Sequence, residues 1–479
     1  MSSSFDFMGV HLKPLFGGLV ILGIASCSLV PPGSRMEEAG SVPGSWSATK
    51  QAQAGIDDHW VDRVGNGSLK RLVKEAYEAN PDLRAAAARV QRAAAAAKGA
   101  GAAARPQLNG AFQANRQKQN FIGLPIGGGT GVLSSISESY GASLNLSWEI
   151  DLWGKVRAGE QAALADLQAQ GQTYRAARAS LAAQVTRAWL ALAEANEQIA
   201  LAEEAVKVRK DNSELIFGRF ETAAAEAGAS GSQVRLAQTD VATAEANLSQ
   251  RRGEADQAKR QLEILLGRYP SAAITGAARL PDVPPFPPAG LPSELLLRRP
   301  DIVAAERRLA AAGKRLTEAK LAYYPSFPLT ASAGSTTNQL RDILDSDFGV
   351  WSIGGRIVQP ILSGGQLKSQ EEIRSAEERE ALANLQQTVL NGFGEVETAL
   401  AADRFLAERE KSVADALELA VDGADSALED FAGGAGDVLT LLQAQSRRIE
   451  LASQRLTLRR LRLDNRVSLH LALGGDYRL

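Results

Sequence analysis

Between Tyr140 and Leu152 apolar and polar side chains alternate. Ala142, Leu144, Leu146, Trp148 and Ile150 are interleaved by Ser143, Asn145, Ser147, Glu149 and Asp151. A period of two sends the first set to one face of a β-strand and the second to the other. Strands are predicted over 140–152 and, on weaker alternation, over 107–119, 326–334 and 350–361. Their length, with Trp and Tyr near the ends, suits tilted membrane strands. A half-buried soluble sheet fits the same signal. Elsewhere the period lengthens to three and four. Leu181, Val185, Ala188, Leu192, Ala195, Ile199 and Ala202 form one narrow seam, the spacing of a coiled coil. No proline occurs from Ile126 to Tyr269 or after Ile361. Long helices are predicted over 153–220 and 366–431, with return helices over 233–266 and 437–473. Gly154 to Phe220 alone rises about 99 Å at 1.5 Å per residue.

These elements are written twice. Asn80-Pro81-Asp82-Leu83 recurs as Arg299-Pro300-Asp301-Ile302 at an offset of 219 residues. Gly154-Lys155-Val156-Arg157 recurs as Gly365-Gln366-Leu367-Lys368 at 211, as does Arg219-Phe220 as Asp430-Phe431. Leu265-Leu266-Gly267 recurs as Ala472-Leu473-Gly474 at 207. The offset changes at two places only, between the paired strands and just after Phe220. Insertions collect in exposed turns. The first unit is read as 68–270 and the second as 291–474, joined by a Pro-rich linker over 271–290 and followed by a tail over 475–479. Each unit opens with a short helix and an Ala-rich helix that starts at Pro-Asp. Four strands cannot close a membrane barrel, whose minimum is about eight, so the chain must oligomerise if its strands span a bilayer. Three chains would supply twelve.

Composition narrows the picture. The chain has 479 residues, 53 Lys plus Arg and 55 Asp plus Glu. A net charge of −2 gives no attraction to nucleic acid. Hydrophobic residues make up 45% but aromatics only 5%, and the alanine that fills the difference suits closely packed helices. His11, His59 and His470 lie far apart, and no zinc spacing or phosphate-binding glycine loop is present. No catalytic constellation is found, so no enzyme activity and no cofactor are expected. Residues 1–26 have the short apolar core of a signal peptide. They end Ile24-Ala25-Ser26 before Cys27, the only cysteine. That string resembles a lipoprotein acceptor site, which would make 27–67 a lipidated N-terminal segment and Cys27 its lipid attachment. Ser28, rather than Asp, implies the outer membrane by the same analogy.

Trp148-Glu149-Ile150-Asp151-Leu152-Trp153-Gly154-Lys155-Val156-Arg157 resembles the strand-to-helix junction of TolC-type outer-membrane factors. Leu291-Pro292-Ser293-Glu294-Leu295-Leu296-Leu297-Arg298-Arg299-Pro300-Asp301-Ile302 resembles their interrepeat signature, in the lipoprotein branch typified by OprM and the NodT group. The likeness extends through Tyr324-Pro325-Ser326-Phe327 and Ala472-Leu473-Gly474-Gly475 and covers the mature chain. It implies a mainly α protein with a membrane β-barrel. Three chains would share a 12-stranded barrel in outer-membrane lipid, and their coiled coils would form a periplasmic α-barrel. The implied partners are two further copies, a periplasmic adaptor (membrane fusion) protein and an inner-membrane pump, with no nucleic acid. The implied function is passive efflux, drug export with a resistance-nodulation-division (RND) pump first. Metal-ion efflux and type I secretion stay open within the duct class, and a non-conducting coiled-coil lipoprotein outside it. By the same resemblance Phe220, Gly228, Ser230, Phe431, Gly434 and Ala435 are adaptor-contacting tip residues. Leu439 and Gln443 would face the periplasmic aperture, with Gln443 where the branch carries aspartate, and Asp437 offers a charge nearer the tip.

Overall fold

A computed structural model describes residues 43–48, 60–65, 67–122, 133–223, 231–285 and 292–475. The signal peptide, Cys27, Gly228, Ser230 and the tail beyond Gly475 lie outside the described residues. Two short helices, α1 (Trp60–Val64) and α2 (Gly67–Ala79), precede α3 (Pro81–Ala102). A hairpin of β1 (Gln107–Phe121) and β2 (Leu133–Glu149) leads into α4 (Lys155–Ala223) and α5 (Gly231–Leu265). Residues 268–285 form no helix or strand, and further on come α6 (Pro292–Arg298), α7 (Pro300–Leu321), β3 (Pro328–Thr337) and β4 (Gly349–Gly355). The long α8 (Gln366–Gly433) and α9 (Val438–Ala472) finish the chain. At 69 and 68 residues, α4 and α8 are each about 100 Å long. Among the described residues no helix is long and apolar enough to cross a membrane.

Local chemistry sets the element ends. Asn80 caps α3, accepting from the Leu83 N–H at 3.0 Å, while its side-chain amide donates to the Leu265 carbonyl at 2.9 Å. That second bond ties the start of α3 to the end of α5. The equivalent Arg299 makes no side-chain cap. It is buried instead, donating to the Ala472 carbonyl at 3.0 Å and pairing with Asp301 at 2.7 Å and Glu395 at 2.6 Å. Asp151 starts α4 by accepting from the Val156 and Arg157 N–H groups at 3.0 and 2.9 Å.

The four strands form one antiparallel sheet in the order β1-β2-β3-β4. β2 starts seven residues before the expected 140, because a serine-rich run, Leu133 to Ser139, pairs with β1 despite its low strand propensity. It ends three residues before 152, where Asp151 turns to the helix. β3 is shifted, running from 328 to 337 rather than 326 to 334. β4 stops at Gly355 rather than 361. Beyond Gly354-Gly355 the pairing continues through the Arg356 N–H to the Pro328 carbonyl at 3.2 Å and the isolated Ser326–Val358 bridge.

The main core lies at mid-height of the helices. There Leu181, Val185, Trp189 and Leu192 of α4 meet Leu69 and Val73 of α2, Leu262 of α5, and Leu463 and Val467 of α9. Trp46 plugs a second cluster with Val396, Leu400 and Leu469, and Glu397 fixes it by accepting from the Ser47 and Ala48 N–H groups. Charge sets the register of α9. Arg462 pairs with Glu410 and Arg466 with Asp403 on α8, while Arg448 and Arg460 pair with Glu204 and Glu194 on α4.

Cover is unequal between corresponding elements. α7 packs against both α4 and α8, and α9 likewise, whereas α3 and α5 pack mainly against α4. Twelve residues of α9 are buried but only Ala237, Ala255, Leu262 and Glu263 of α5. Ten residues of α7 are buried but only Leu83, Ala86 and Ala97 of α3.

Candidate functional site

Register sorts the sheet into two chemically distinct faces. Directly paired residues share a face, so Leu108, Phe112, Leu144, Leu146, Leu329, Ala331, Trp351 and Ile353 lie together. The opposite face carries Gln107, Asn109, Gln113, Asn115, Ser143, Asn145, Thr330, Ser332 and Ser352. Neither is covered within the chain: every residue of β1 and β4 is exposed. The apolar face ends at the Arg116–Glu138 ion pair, 3.1 Å apart. Leu108 to Arg116 is about 26 Å along a strand, or about 20 Å of height at a membrane-barrel tilt of about 40°. This is close to the apolar band of an outer-membrane barrel, about 25 Å tall. A polar face behind such a band, charged only at Glu149 where β2 ends, has the chemistry of a water-filled lumen.

At the far end of the helices α8 turns into α9. Gly434 caps α8 with φ +88°, a left-handed conformation that glycine adopts without strain. The N–H groups of Ala435 and Gly436 both return to the Asp430 carbonyl, at 2.9 and 3.0 Å. Asp437 begins α9, accepting from the Thr440 N–H at 3.0 Å and its hydroxyl at 2.6 Å. The hydroxyl and N–H of Thr440 hold this carboxyl below the usual carboxylate range. Its charge is thus engaged by the start of its own helix. Leu439 and Gln443 lie one helical turn apart, both exposed, and line one groove with Leu236 and Arg447.

Gly434 and Ala435 are exposed at the turn. Phe431 corrects the expectation made for it. It is only 3% exposed, packed with Ile216, Val438 and Leu441, so its ring holds the tip together and is not available to a partner's surface. Arg219 lies 4.2 Å over that ring and donates to the Ala432 carbonyl at 3.0 Å, joining the ends of the two long helices. Phe220 beside it is half-buried. Above the groove lies a polar belt that the sequence gives no sign of. Buried Arg209 donates to the Leu442 carbonyl at 3.3 Å and the Ser446 hydroxyl at 2.5 Å, and pairs with Asp240 at 3.4 Å. Burial lowers its pKa, and Asp240 opposes the shift. Asn212 and Gln445 bond beside it. These partners come from α5 and α9, up to 237 residues away, so no local motif announces them. Among the described residues no group of His, Cys, Asp and Glu is placed to hold a metal ion.

The profile of the outer membrane efflux protein family matches residues 72–268 and 291–475. The chain is 30% identical over 478 residues to the pyoverdine export outer membrane protein OpmQ of Pseudomonas aeruginosa, covering 98% of each. It is 27% identical over 469 residues to the cation efflux system protein CusC of Escherichia coli O157:H7, covering 96% of this chain and 97% of the relative. The solved outer-membrane channel OprN superposes with a TM-score of 0.82 at 25% identity, covering 91% of this chain and 97% of that one.

Proposed function

We propose that this chain, which belongs to the outer membrane efflux protein family, forms a passive trimeric duct. It is an outer-membrane protein, and on this reading three sheets close into a twelve-stranded barrel there. The long helices close into an α-barrel that runs through the periplasm to an adaptor and an inner-membrane pump. The observation that carries this reading is the unequal cover. α3, α5 and β1 each lack a neighbour that α7, α9 and β3 possess, in every case the one that the preceding half supplies. The α8 and β4 of a second copy have the matching vacancy. Each copy therefore completes the next, and an edge left open in hydrocarbon would cost several kcal/mol per unpaired backbone group. The count of three follows the family resemblance.

Cargo is assigned to the pump rather than to this duct, because a polar sheet face whose charge is confined to Glu149 at one end offers little to select with. Drug efflux with an RND-type pump is the reading carried forward. Gly434 and Ala435 present the exposed turn to the adaptor, and Leu439 with Gln443 constricts the aperture. Cys27 carries the lipid, so labelled palmitate enters the wild-type protein but not Cys27→Ala. The deciding experiment is reconstitution. Purified protein gives heat-modifiable trimers and ion conductance in planar bilayers, and Leu439→Ala or Gln443→Ala raises that conductance. Monomers without conductance would overturn the duct. A deletion strain screened against drugs and metal ions identifies the cargo.

A further inference from the structure

We infer that in the assembled ring Phe405 of one copy seats over Gly253 of the next. This rests on the trimeric reading above and fixes the register of its contact. Within one chain α9 meets the preceding long helix, α4, along a single stripe. Ser446 bonds to Arg209, Ser453 to Gln198, Thr457 and Arg460 to Glu194, and Ser468 to Arg187. The offset of 207 carries this stripe onto α5 as Thr239, Ala246, Gln250, Gly253 and Gln261, all of them exposed. The offset of 211 carries the facing side of α4 onto α8, where Arg409, Phe405 and Thr398 stand exposed.

The two stripes complement each other. Arg460 and Thr457 converge on Glu194, so Gly253 and Gln250 of one copy converge on Phe405 of another. Phe405 is 58% exposed, a large ring with much of its surface in water on its own chain. A Cβ placed on Gly253 would meet no atom within 4 Å, so nothing in its own chain requires glycine there. Glycine in mid-helix is unfavourable unless another backbone or a bulky side chain must come close. A knob without a hole and a hole without a knob thus fall at the same level of one interface. The Arg187–Ser468 contact translates to Thr398 and Gln261, two neutral hydrogen-bonding groups.

The test uses the full-length protein in outer membranes. Gly253→Cys and Phe405→Cys are introduced into two differently tagged forms, which are coexpressed and treated with a short thiol-to-thiol crosslinker. Covalent dimers carrying both tags are expected, and covalent trimers when one chain carries both substitutions. Either substitution alone gives neither product. Trimers that assemble without crosslinking would overturn the register and leave the trimeric reading standing. Absence of trimers from the unmodified protein would overturn that reading itself. Should these variants fail to assemble, Thr398→Cys with Gln261→Cys reads the same register from two exposed polar positions. A size exchange adds a second readout. Gly253→Leu lowers the temperature at which detergent-resistant trimers dissociate, and Phe405→Ala in the same chain restores it. No restoration would rule out the seat.

Discussion

The two halves of this chain are built from corresponding elements, yet one is covered and the other is not. α7 is a core helix, with Ile302, Leu309 and Ala311 at most 1% exposed, whereas α3 shows water much of its alanine surface. Helix propensity does not separate them, since both are rich in alanine, arginine and lysine. Position in the chain does. An element of the second half has a half before it to pack on, and an element of the first half has none within its own chain. If the proposed trimer forms, burial within one chain is therefore a poor guide to which surfaces are interior in it.

Equivalent substitutions should separate the halves. Ala304→Glu places a carboxylate where the side chain is 1% exposed, costing upwards of about 3 kcal/mol. It should abolish folding, read as loss of helical circular dichroism. Ala85→Glu, at the corresponding exposed position of α3, should keep the helical signal and lose detergent-resistant trimers. If both variants unfold alike, the comparison fails. Asp403→Ala removes the partner of Arg466, whose side chain is 4% exposed, and should cost about 3 kcal/mol in denaturant unfolding. Asn80→Ala should cost about 1 kcal/mol by uncapping α3. The equivalent Arg299 uses no cap, so restoring a capping side chain there should not compensate for its lost ion pairs. The smallest effect is at Asp437. Its carboxyl sits below its ordinary value of 3.8, so its contribution is complete above that value and fades as pH falls through the lowered one. Asp437→Asn keeps a capping oxygen without a titration. Its melting temperature should trail the wild type at neutral pH and converge with it in acid.

Much of this was readable beforehand because it depends on short-range periodicity. Alternation over 140–152 located the β2 face pattern, and the three-four seam with no proline located α4. Leu439 and Gln443 fall on one face by spacing alone. Strand ends were less legible. The serines of 133–139 pair because β1 lies opposite, and β4 ends early at two glycines, after which Ile357-Val358 and Pro360 break the alternation. Phe431 was misassigned for a related reason: an aromatic at a turn is exposed or buried according to what else arrives. Here Ile216 comes from 215 residues away. Arg209 is equally silent, its partners lying on helices remote in sequence, and of the partners of Arg299 only Asp301 is near in sequence, Glu395 and Ala472 being remote.

The polar sheet face has one further consequence. From Gln107 to Gln119, and at the β2, β3 and β4 positions level with them, that face bears amides, hydroxyls, small side chains or Val350, and Glu149, opposite Pro328 and paired with Lys155 at 2.7 Å, stands at its helical end. The stretch of wall beyond Glu149, from Ser147 outward, has no ionisable group and so an electrical resistance that protons cannot adjust. Any acid-dependent change in current through the proposed duct would therefore originate outside that stretch, at its helical end, in the helical section or in the loops, and would locate the point of control without a structure of the closed state.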